Sequence, residues 1–188
     1  MSEDFVRGEA VKLSTERFLL RTLNEADVSQ TYVDWLNDPE VNAFLECRFS
    51  VQSMDYVTAY VRGHDRRTSF LFGIFADKGT KHIGNFSLVI NSDHKVGVLG
   101  VMIGDKEYWG EQVVLEARGA IMDFCFERLD LAKVHGGCYS DNRPAIYNYR
   151  RQGWQLDGIR KNNVISKGRY VDVVHFAMFK EDWLSRND

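Results

Sequence analysis

The chain has 188 residues, of which 44% are hydrophobic and 27% are charged, and it contains only two prolines. This composition excludes a disordered chain, and the length is that of one ordinary domain, which we place at residues 1–188. The net charge of −3 provides no broad basic surface, so we expect neither a nucleic acid nor a membrane as partner.

Cysteine usage and the amino-terminal sequence indicate a cytoplasmic protein. Cys47, Cys125 and Cys138 are scattered and lack the CxxC spacing of a zinc or redox site, and the histidines lack ligand spacing, so we expect no metal. The amino-terminal stretch MSEDFVRGEAVKL has no apolar core of the kind found in signal peptides. No apolar run reaches the roughly 18 residues of a membrane span.

The first third of the chain predicts a short β region followed by helices. Val11 to Leu23 has the apolar pattern of one or two short strands. Asn24 is typical of a helix cap, and the Asp-Pro pair at 38–39 would end that helix. A short helix over Pro39 to Phe44 should follow, and Ser50 should cap a further helix with one apolar stripe.

The rest of the chain predicts a sheet interrupted by two helices. The segments SFLFGIFA, HIGNFSLVI and VGVLGVMIG are separated by polar turns, which favours an antiparallel meander. A long helix from about Gln112 to Leu129, the strand KVHGGCY and a helix from Pro144 to Gly153 come next. A final hairpin joins WQLDGIRKNNVI to RYVDVVHFAMF. This order indicates an α+β fold with one mixed, mostly antiparallel sheet flanked by helices.

One segment joins a buried strand, a short loop and a long helix: VGVLGVMIG, DKEYW and GEQVVLEARGAIMDFCF. The first backbone N–H groups of a helix lack internal partners, and the helix dipole adds positive potential, so such a loop can hold a phosphate without a basic side chain. The local sequence fits a plain strand-to-helix connection, turned by Gly110, equally well.

The order of elements from about Thr15 to Trp183, with the motifs YWGEQVVLEA and NRPAIYNYRRQGW, resembles the GCN5-related N-acetyltransferase (GNAT) family, and within it the branch that acts on ribosomal proteins and amino sugars. The resemblance implies a single domain whose sheet splays between the fourth strand, VGVLGVMIG, and the fifth, KVHGGCY. It also implies acetyl-CoA as co-substrate and a primary amine as acceptor.

The resemblance assigns the residues that would bind the coenzyme. In the family a loop of the pattern Arg or Gln, two residues, Gly, any residue, Gly or Ala binds the pyrophosphate through its backbone N–H groups. The corresponding residues are Trp109, Gly110, Glu111, Gln112, Val113 and Val114. The main chain of Val101, Met102 and Ile103 would pair with the pantetheine arm.

The loop departs from the family pattern at three positions. Trp109 replaces the usual Arg or Gln, Gln112 replaces a Gly, and Val114 replaces a small residue. Each change crowds the expected anion site. A GNAT-shaped interaction module that has lost the cofactor therefore remains an alternative to an enzyme.

The motif NRPAIYNYRRQGW supplies two further residues by resemblance. In the family, an Asn after the fifth strand bonds pantetheine, and a Tyr four residues before a Gly-aromatic pair protonates the leaving thiolate. Asn142 and Tyr149 occupy these positions. Their separation of seven residues is two helical turns, so both can face one groove. Without the resemblance, Asn142 would be interpreted as a helix cap and Tyr149 as a core residue.

The base that would accept the amine proton is not at the position usual in the family. The family often has Glu or Asp just ahead of the glycine in the fourth strand, where this chain has Val98 and Leu99. Glu46 is the candidate catalytic base, and His94 with Asp93 is the alternative to it. Arg48 and His94 are also candidates for the acceptor site. Glu46 and Arg48 could equally be a solvated pair, and His94 an exposed turn residue.

The acceptor is expected to be a small-molecule amine. The stretches FLECRFSVQS and HIGNFSLVINSDHK are similar to those of family members that acetylate amino sugars, often nucleotide-linked, for surface polysaccharides. A protein amino terminus and a polyamine remain alternative acceptors. The sequence is compatible with a monomer or a homodimer.

Overall fold

In a computed structural model, which describes residues 6–186, eight strands join one mixed sheet. The strands are β1 Lys12–Ser14, β2 Leu19–Thr22, β3 Ser69–Ala76, β4 Lys81–Asn91, β5 Val96–Ile103, β6 Lys133–Tyr139, β7 Gln155–Ser166 and β8 Arg169–Phe179. Their order across the sheet is β1-β2-β3-β4-β5-β6-β8-β7. Neighbouring strands run antiparallel except β5 and β6, which run parallel. The expected domain ends at residues 1 and 188 lie outside the described residues.

The described part of the chain also forms five α-helices: α1 Gln30–Asn37, α2 Met54–Arg62, α3 Val113–Asp123, α4 Arg143–Arg151 and α5 Lys180–Leu184, of which the last follows β8. A π-helical turn, Phe124–Arg128, extends α3, so the predicted long helix is confirmed. None of the helices within residues 6–186 is long and apolar enough to cross a membrane.

The sheet separates two hydrophobic cores. Because side chains alternate along a strand, neighbouring residues such as Leu71 and Phe72 of β3 enter opposite cores. The larger core packs α3 and α4 against one face, and it includes Ile121 and Tyr149. The smaller core packs α1 and α2 against the other face, where Met102 of β5 also lies. The two faces of the sheet are called the α3 face and the α2 face below.

The predicted meander and the final hairpin are confirmed, and Val11 to Leu23 forms two strands. The predicted helix over Pro39 to Phe44 is wrong, because this segment is a series of turns. Asp38 Oδ1 accepts hydrogen bonds from the backbone of Glu40 and Val41, and the Asn42 amide donates to the Leu36 carbonyl. These side-chain bonds, and not a continuous ladder of backbone hydrogen bonds, hold the turns after α1.

Two helix starts differ from the predicted ones. Asn24 caps only a 3-10 turn, Glu25–Asp27, and Ser29 caps α1. Ser53 rather than Ser50 caps α2. In both cases two residues of the type that caps helices precede the helix, and the second of them is the cap.

Candidate active site

The sheet opens between β5 and β6, which start as a parallel pair and then separate. Their ladder has three rungs, of which the last joins Val98 to His135, and no further rung joins the two strands in the described chain. From Leu99 and Gly136 onwards, backbone groups face a gap instead of a neighbouring strand. The expected splay is therefore present, between the fifth and sixth strands because Val11 to Leu23 forms two strands instead of one.

Alternation along β5 determines which backbone groups face the gap. The Lys95 carbonyl accepts a hydrogen bond from the chain entering β6, so odd-numbered residues of β5 direct N–H and C=O toward β6. Val101 and Ile103 therefore face the gap with their main chains, whereas the main chain of Met102 faces β4. The Ile103 carbonyl accepts a hydrogen bond from the Trp109 indole at 3.0 Å. Of the three residues expected to pair with the pantetheine arm, only Val101 therefore has both its backbone N–H and its C=O available to a ligand in the gap.

The loop between β5 and α3 contains left-handed backbone at two positions. Gly110 has φ 84°, and an added Cβ would meet no atom within 4 Å. Gln112, which directly precedes α3, has φ 58° and ψ 16° although it carries a side chain. This conformation costs about 1 kcal/mol or more for a residue other than Gly. Gln112 thus keeps a glycine-like backbone where the family pattern has Gly.

The first turn of α3 presents unpaired backbone donors. Among residues 6–186, no backbone hydrogen bond uses the N–H groups of Gln112, Val113 or Val114, and the next N–H, that of Leu115, donates to Gln112 O. The side chain of Gln112 is exposed, and its Oε1 accepts a hydrogen bond from Arg151 of α4 at 3.3 Å. Free donors at the start of an eleven-residue helix form an anion-binding arrangement.

The surroundings of the loop carry more acidic than basic side chains. A cavity of about 340 Å³ beside it is lined by Glu16, Arg17, Gly110, Glu111, Gln112, Leu115 and Glu116. Arg17 donates to the Glu116 carboxylate at 2.7 Å and to the Glu111 carbonyl at 2.9 Å. Burial opposes ionisation of Glu116, but hydrogen bonds from Thr15 and Arg17 outweigh it and lower its pKa. A phosphate at this loop would therefore depend mainly on backbone donors.

Tyr149 lies on the α3 face with its hydroxyl where the two strands separate. Its side chain is buried, and the ring stacks on Phe176 with centroids 4.8 Å apart. A Cβ added to Gly136 would overlap the Tyr149 hydroxyl and lie 2.7 Å from the Leu99 carbonyl oxygen, so the hydroxyl touches the start of the gap. Burial raises the pKa of Tyr149 to about 12, and the phenol is protonated at neutral pH.

A buried arginine packs on the ring of Tyr149. Arg118 of α3 is 1% exposed, and its guanidinium carbon lies 4.7 Å from the Tyr149 centroid and 5.0 Å from that of Trp154. The guanidinium donates to the Asn148 carbonyl at 2.7 Å and to Gln152 Oε1 at 2.5 Å. Burial lowers the pKa of Arg118 to about 10, so it stays charged at neutral pH. This charge opposes part of the rise that burial causes in the pKa of Tyr149.

Asn142 is the N-cap of α4, and its side-chain oxygen accepts a hydrogen bond from Ala145 N at 3.2 Å. The interpretation of Asn142 as a cap is therefore correct. Capping uses only the amide oxygen, so the amide nitrogen can still donate to a ligand carbonyl. Asn142 and Tyr149 lie at opposite ends of the same helix.

Glu46 and Arg48 both hydrogen-bond Tyr139, a residue that the sequence did not indicate. The Tyr139 hydroxyl, at the end of β6, donates a short hydrogen bond to Glu46 and accepts one from Arg48 at 2.8 Å. Arg48 also donates to the Ile165 carbonyl of β7 at 2.9 Å. Burial, followed by the Glu46 carboxylate, raises the pKa of Tyr139. The loop carrying Glu46 is thus anchored to the gap-forming strand β6.

His94 lies apart from this cluster. It is exposed in the turn between β4 and β5, where its backbone N–H donates to Asn91 Oδ1 at 3.1 Å. This turn precedes the end of β5 that is paired with β6, whereas the gap opens toward the other end. The structure therefore does not bring His94 together with Glu46 or Tyr149.

The gap, the free donors at α3 and the buried tyrosine agree with the fold of one enzyme family. The family model described as the acetyltransferase (GNAT) domain matches residues 17–155, more than half of the chain. The chain belongs to the GNAT family. This acetyltransferase therefore uses acetyl-CoA as its acyl donor. Within residues 6–186 no group of three or more His, Cys, Asp or Glu side chains is placed to hold a metal.

Relatives of the acetyltransferase differ in their acceptors. It is 26% identical over 183 residues to an uncharacterized N-acetyltransferase, p20, of Bacillus licheniformis, covering 91% of this chain and 97% of that protein. It is 25% identical over 122 residues to the [ribosomal protein uS5]-alanine N-acetyltransferase of Escherichia coli K12, covering 64% and 62%. Its fold resembles the Vibrio cholerae spermidine N-acetyltransferase solved with CoA and spermine, with TM-score 0.79, 20% identity and coverage of 89% and 98%.

Proposed function

We propose that the acetyltransferase transfers the acetyl group of acetyl-CoA to the amine of an amino sugar, free or nucleotide-linked. The observation that carries this proposal is the lining of the α2 face beside the gap, which is aromatic and hydroxyl-bearing. Tyr56 and Tyr60 of α2 are exposed, and Tyr60 lies near Ser87 of β4, which pairs with Gly100 of β5. Tyr139 adds a further ring at the end of β6. Such rings offer apolar surface and polar groups together, which suits a sugar.

The charges at this rim suit an acceptor with one amine. Glu46 supplies a carboxylate beside Tyr139, and Arg48 supplies a cation close to it. One ammonium group can pair with Glu46, while Arg48 can bond a sugar hydroxyl or a phosphate. A polyamine carries several positive charges, and Arg48 would repel them.

The coenzyme is assigned to the gap and the loop. The N–H groups of Gln112, Val113 and Val114, together with the turn at Gly110, hold the pyrophosphate through the backbone. Val101 pairs its main chain with the pantetheine arm, and the amide of Asn142 donates to it. The acidic side chains around the loop reduce the affinity, but the free donors supply the main attraction.

Transfer then requires the amine and the thioester to meet in the gap. Direct attack in a ternary complex needs no covalent enzyme intermediate, and proximity supplies much of the rate enhancement. Tyr149 donates a proton or a hydrogen bond to the sulfur as the C–S bond breaks. Its raised pKa keeps the phenol protonated for this role.

The acceptor class is tested with a panel of amines, with release of free CoA thiol as the measurement. We expect nucleotide-linked or free amino sugars to be consumed faster than spermidine or peptides with free amino termini. The panel includes both alternatives because relatives are named for spermidine and for ribosomal protein uS5. Rapid turnover of peptides or spermidine, without turnover of any amino sugar, would assign the acceptor to that class instead.

Glu46→Gln tests the acceptor rim. Removing the charge should raise the KM for the amine about tenfold, the order expected for one charge-assisted hydrogen bond, and leave the binding of acetyl-CoA unchanged. Glu127→Gln, an exposed carboxylate in the turn after α3, is the matched control and should behave as the wild type. An unchanged KM for the amine in Glu46→Gln would remove Glu46 from the site.

A further inference from the structure

Acetyl transfer needs a group that accepts a proton from the amine. A primary amine with a pKa near 10 is almost wholly protonated at pH 7, and an ammonium group has no lone pair with which to attack. The base must be uncharged or anionic at neutral pH, lie beside the gap, and face the side from which the acceptor enters. The tyrosine assigned as acid occupies the α3 face, so the base should lie on the α2 face.

The last rung of the β5–β6 ladder places a histidine at this point. His135 is the partner of Val98, and the gap begins with the next residue of each strand. A Cβ on Gly136 would point at Tyr149, so the adjacent His135 points to the opposite face, because neighbouring residues of a strand alternate. Val98 is 46% exposed on that same face, so the surface beside the His135 ring is open.

We propose that His135 is the general base that takes the proton from the acceptor amine. This inference rests on the proposed function. The acid, Tyr149, and the base, His135, then lie on opposite faces of the sheet at the gap, and the backbone of Gly136 lies between them. The thioester carbonyl would lie between them, with the leaving sulfur toward Tyr149 and the incoming amine toward His135.

The charges around His135 favour its neutral form. Burial first, and then the neighbouring Lys133, lower the pKa of His135 below its ordinary value. The other groups that face it are Asp157 and Arg160 of β7 and His175 of β8. Asp157 opposes the lowering but is bonded to Lys133 at 2.7 and 2.8 Å. The ring is therefore ready to accept a proton at pH 7.

The proton and electron balance is complete with these residues. The ammonium group gives one proton to the His135 ring, and the freed nitrogen lone pair forms the bond to the carbonyl carbon. As the C–S bond breaks, its electron pair goes to sulfur, which receives a proton from Tyr149. The nitrogen then loses its second proton to solvent on the α2 face, where His135 lies. Solvent removes the proton from His135 and returns one to Tyr149, so one proton is released per turnover.

The test is chemical rescue in the full chain. His135→Ala should lower kcat about a hundredfold, the usual contribution of a general base, and added imidazole should restore part of it. His175→Ala is the matched control: it removes an imidazole from the same face one strand further from the gap, and it should keep kcat and show no rescue. The melting-temperature shift with acetyl-CoA should be unchanged in both variants.

The pH profile supplies a second readout. In the wild type, kcat/KM should fall at low pH as His135 becomes protonated, with a midpoint lower than the pKa of an ordinary histidine. This limb should keep its position when the acceptor is replaced by an amine of different pKa, and it should be absent in His135→Ala.

Two results would overturn the assignment of His135. They are an unchanged kcat in His135→Ala and a loss of kcat that imidazole does not restore. Failure of the proposed function would look different, because the wild type itself would acetylate no amino sugar in the acceptor panel.

Discussion

Tyr149→Phe should lower kcat about a hundredfold while leaving the melting temperature and the affinity for acetyl-CoA nearly unchanged. The thiolate of coenzyme A has a conjugate acid with a pKa of roughly 8 to 9, so a neutral phenol can supply a proton or a hydrogen bond as the charge develops. Phenylalanine keeps the ring that stacks on Phe176 and lies against Arg118, and it loses only the hydroxyl. Steady-state kinetics and thermal unfolding provide the measurements.

The matched control for this experiment is on the same helix. Tyr147 is exposed, and its hydroxyl accepts a hydrogen bond from Arg151. Tyr147→Phe removes a hydroxyl from the solvent side of α4 and should leave kcat unchanged. If Tyr149→Phe retains the wild-type kcat, Tyr149 has no part in the mechanism. If it only melts early, Tyr149 acts as a core residue.

Gly110→Pro should abolish the stabilisation of the protein by acetyl-CoA. In the wild type, acetyl-CoA at about a hundred times its dissociation constant should add roughly 2.7 kcal/mol to the free energy of unfolding. For a domain of this size that corresponds to about 5 to 11 °C in melting temperature. Proline restricts φ to about −65° and removes a backbone N–H, whereas Gly110 has φ 84°. The turn that directs the donors of α3 could therefore not form.

Proline substitution at a second glycine distinguishes loss of coenzyme binding from a general loss of stability. Gly168, in the turn between β7 and β8, also has a positive φ, 76°, and open space around it. Gly168→Pro should lower the melting temperature but keep the shift caused by acetyl-CoA. A wild type without any shift at millimolar acetyl-CoA would contradict the proposed coenzyme site at this loop. If Gly110→Pro keeps the full melting-temperature shift with acetyl-CoA, the coenzyme does not bind at this loop.

Local pattern was sufficient for most of the elements. The alternation of SFLFGIFA, HIGNFSLVI and VGVLGVMIG predicted three strands, and the polar turns between them predicted their antiparallel order. The apolar stripe of α3 and the proline in the first turn of α4 predicted these two helices, and both are confirmed. The helix predicted over Pro39 to Phe44 is absent, because the side chains of Asp38 and Asn42 hold the chain after α1 in a series of turns.

Some features of the candidate site likewise follow from local sequence, and others depend on the tertiary structure. The spacing of Asn142 and Tyr149 along one helix was visible in the sequence, since helical periodicity is a local property. The left-handed backbone of Gln112 was not visible, because a non-glycine residue adopts it only when the surrounding structure holds it there. The burial of Arg118 against Tyr149 likewise needs the contact between two helices that are distant in the chain.

The sequence by itself determined the α+β class and the order of the strands along the chain, because these follow from periodicity and short-range spacing. The loop at 109–114 and Tyr149 were singled out by the resemblance to the GNAT family. The tertiary structure alone decided where the ladder between β5 and β6 ends, and with it that His135 and Tyr149 face opposite sides of one gap. It also decided that Tyr139 links Glu46 to Arg48. Strand register and contacts between distant segments depend on packing of the whole core, which no local pattern encodes.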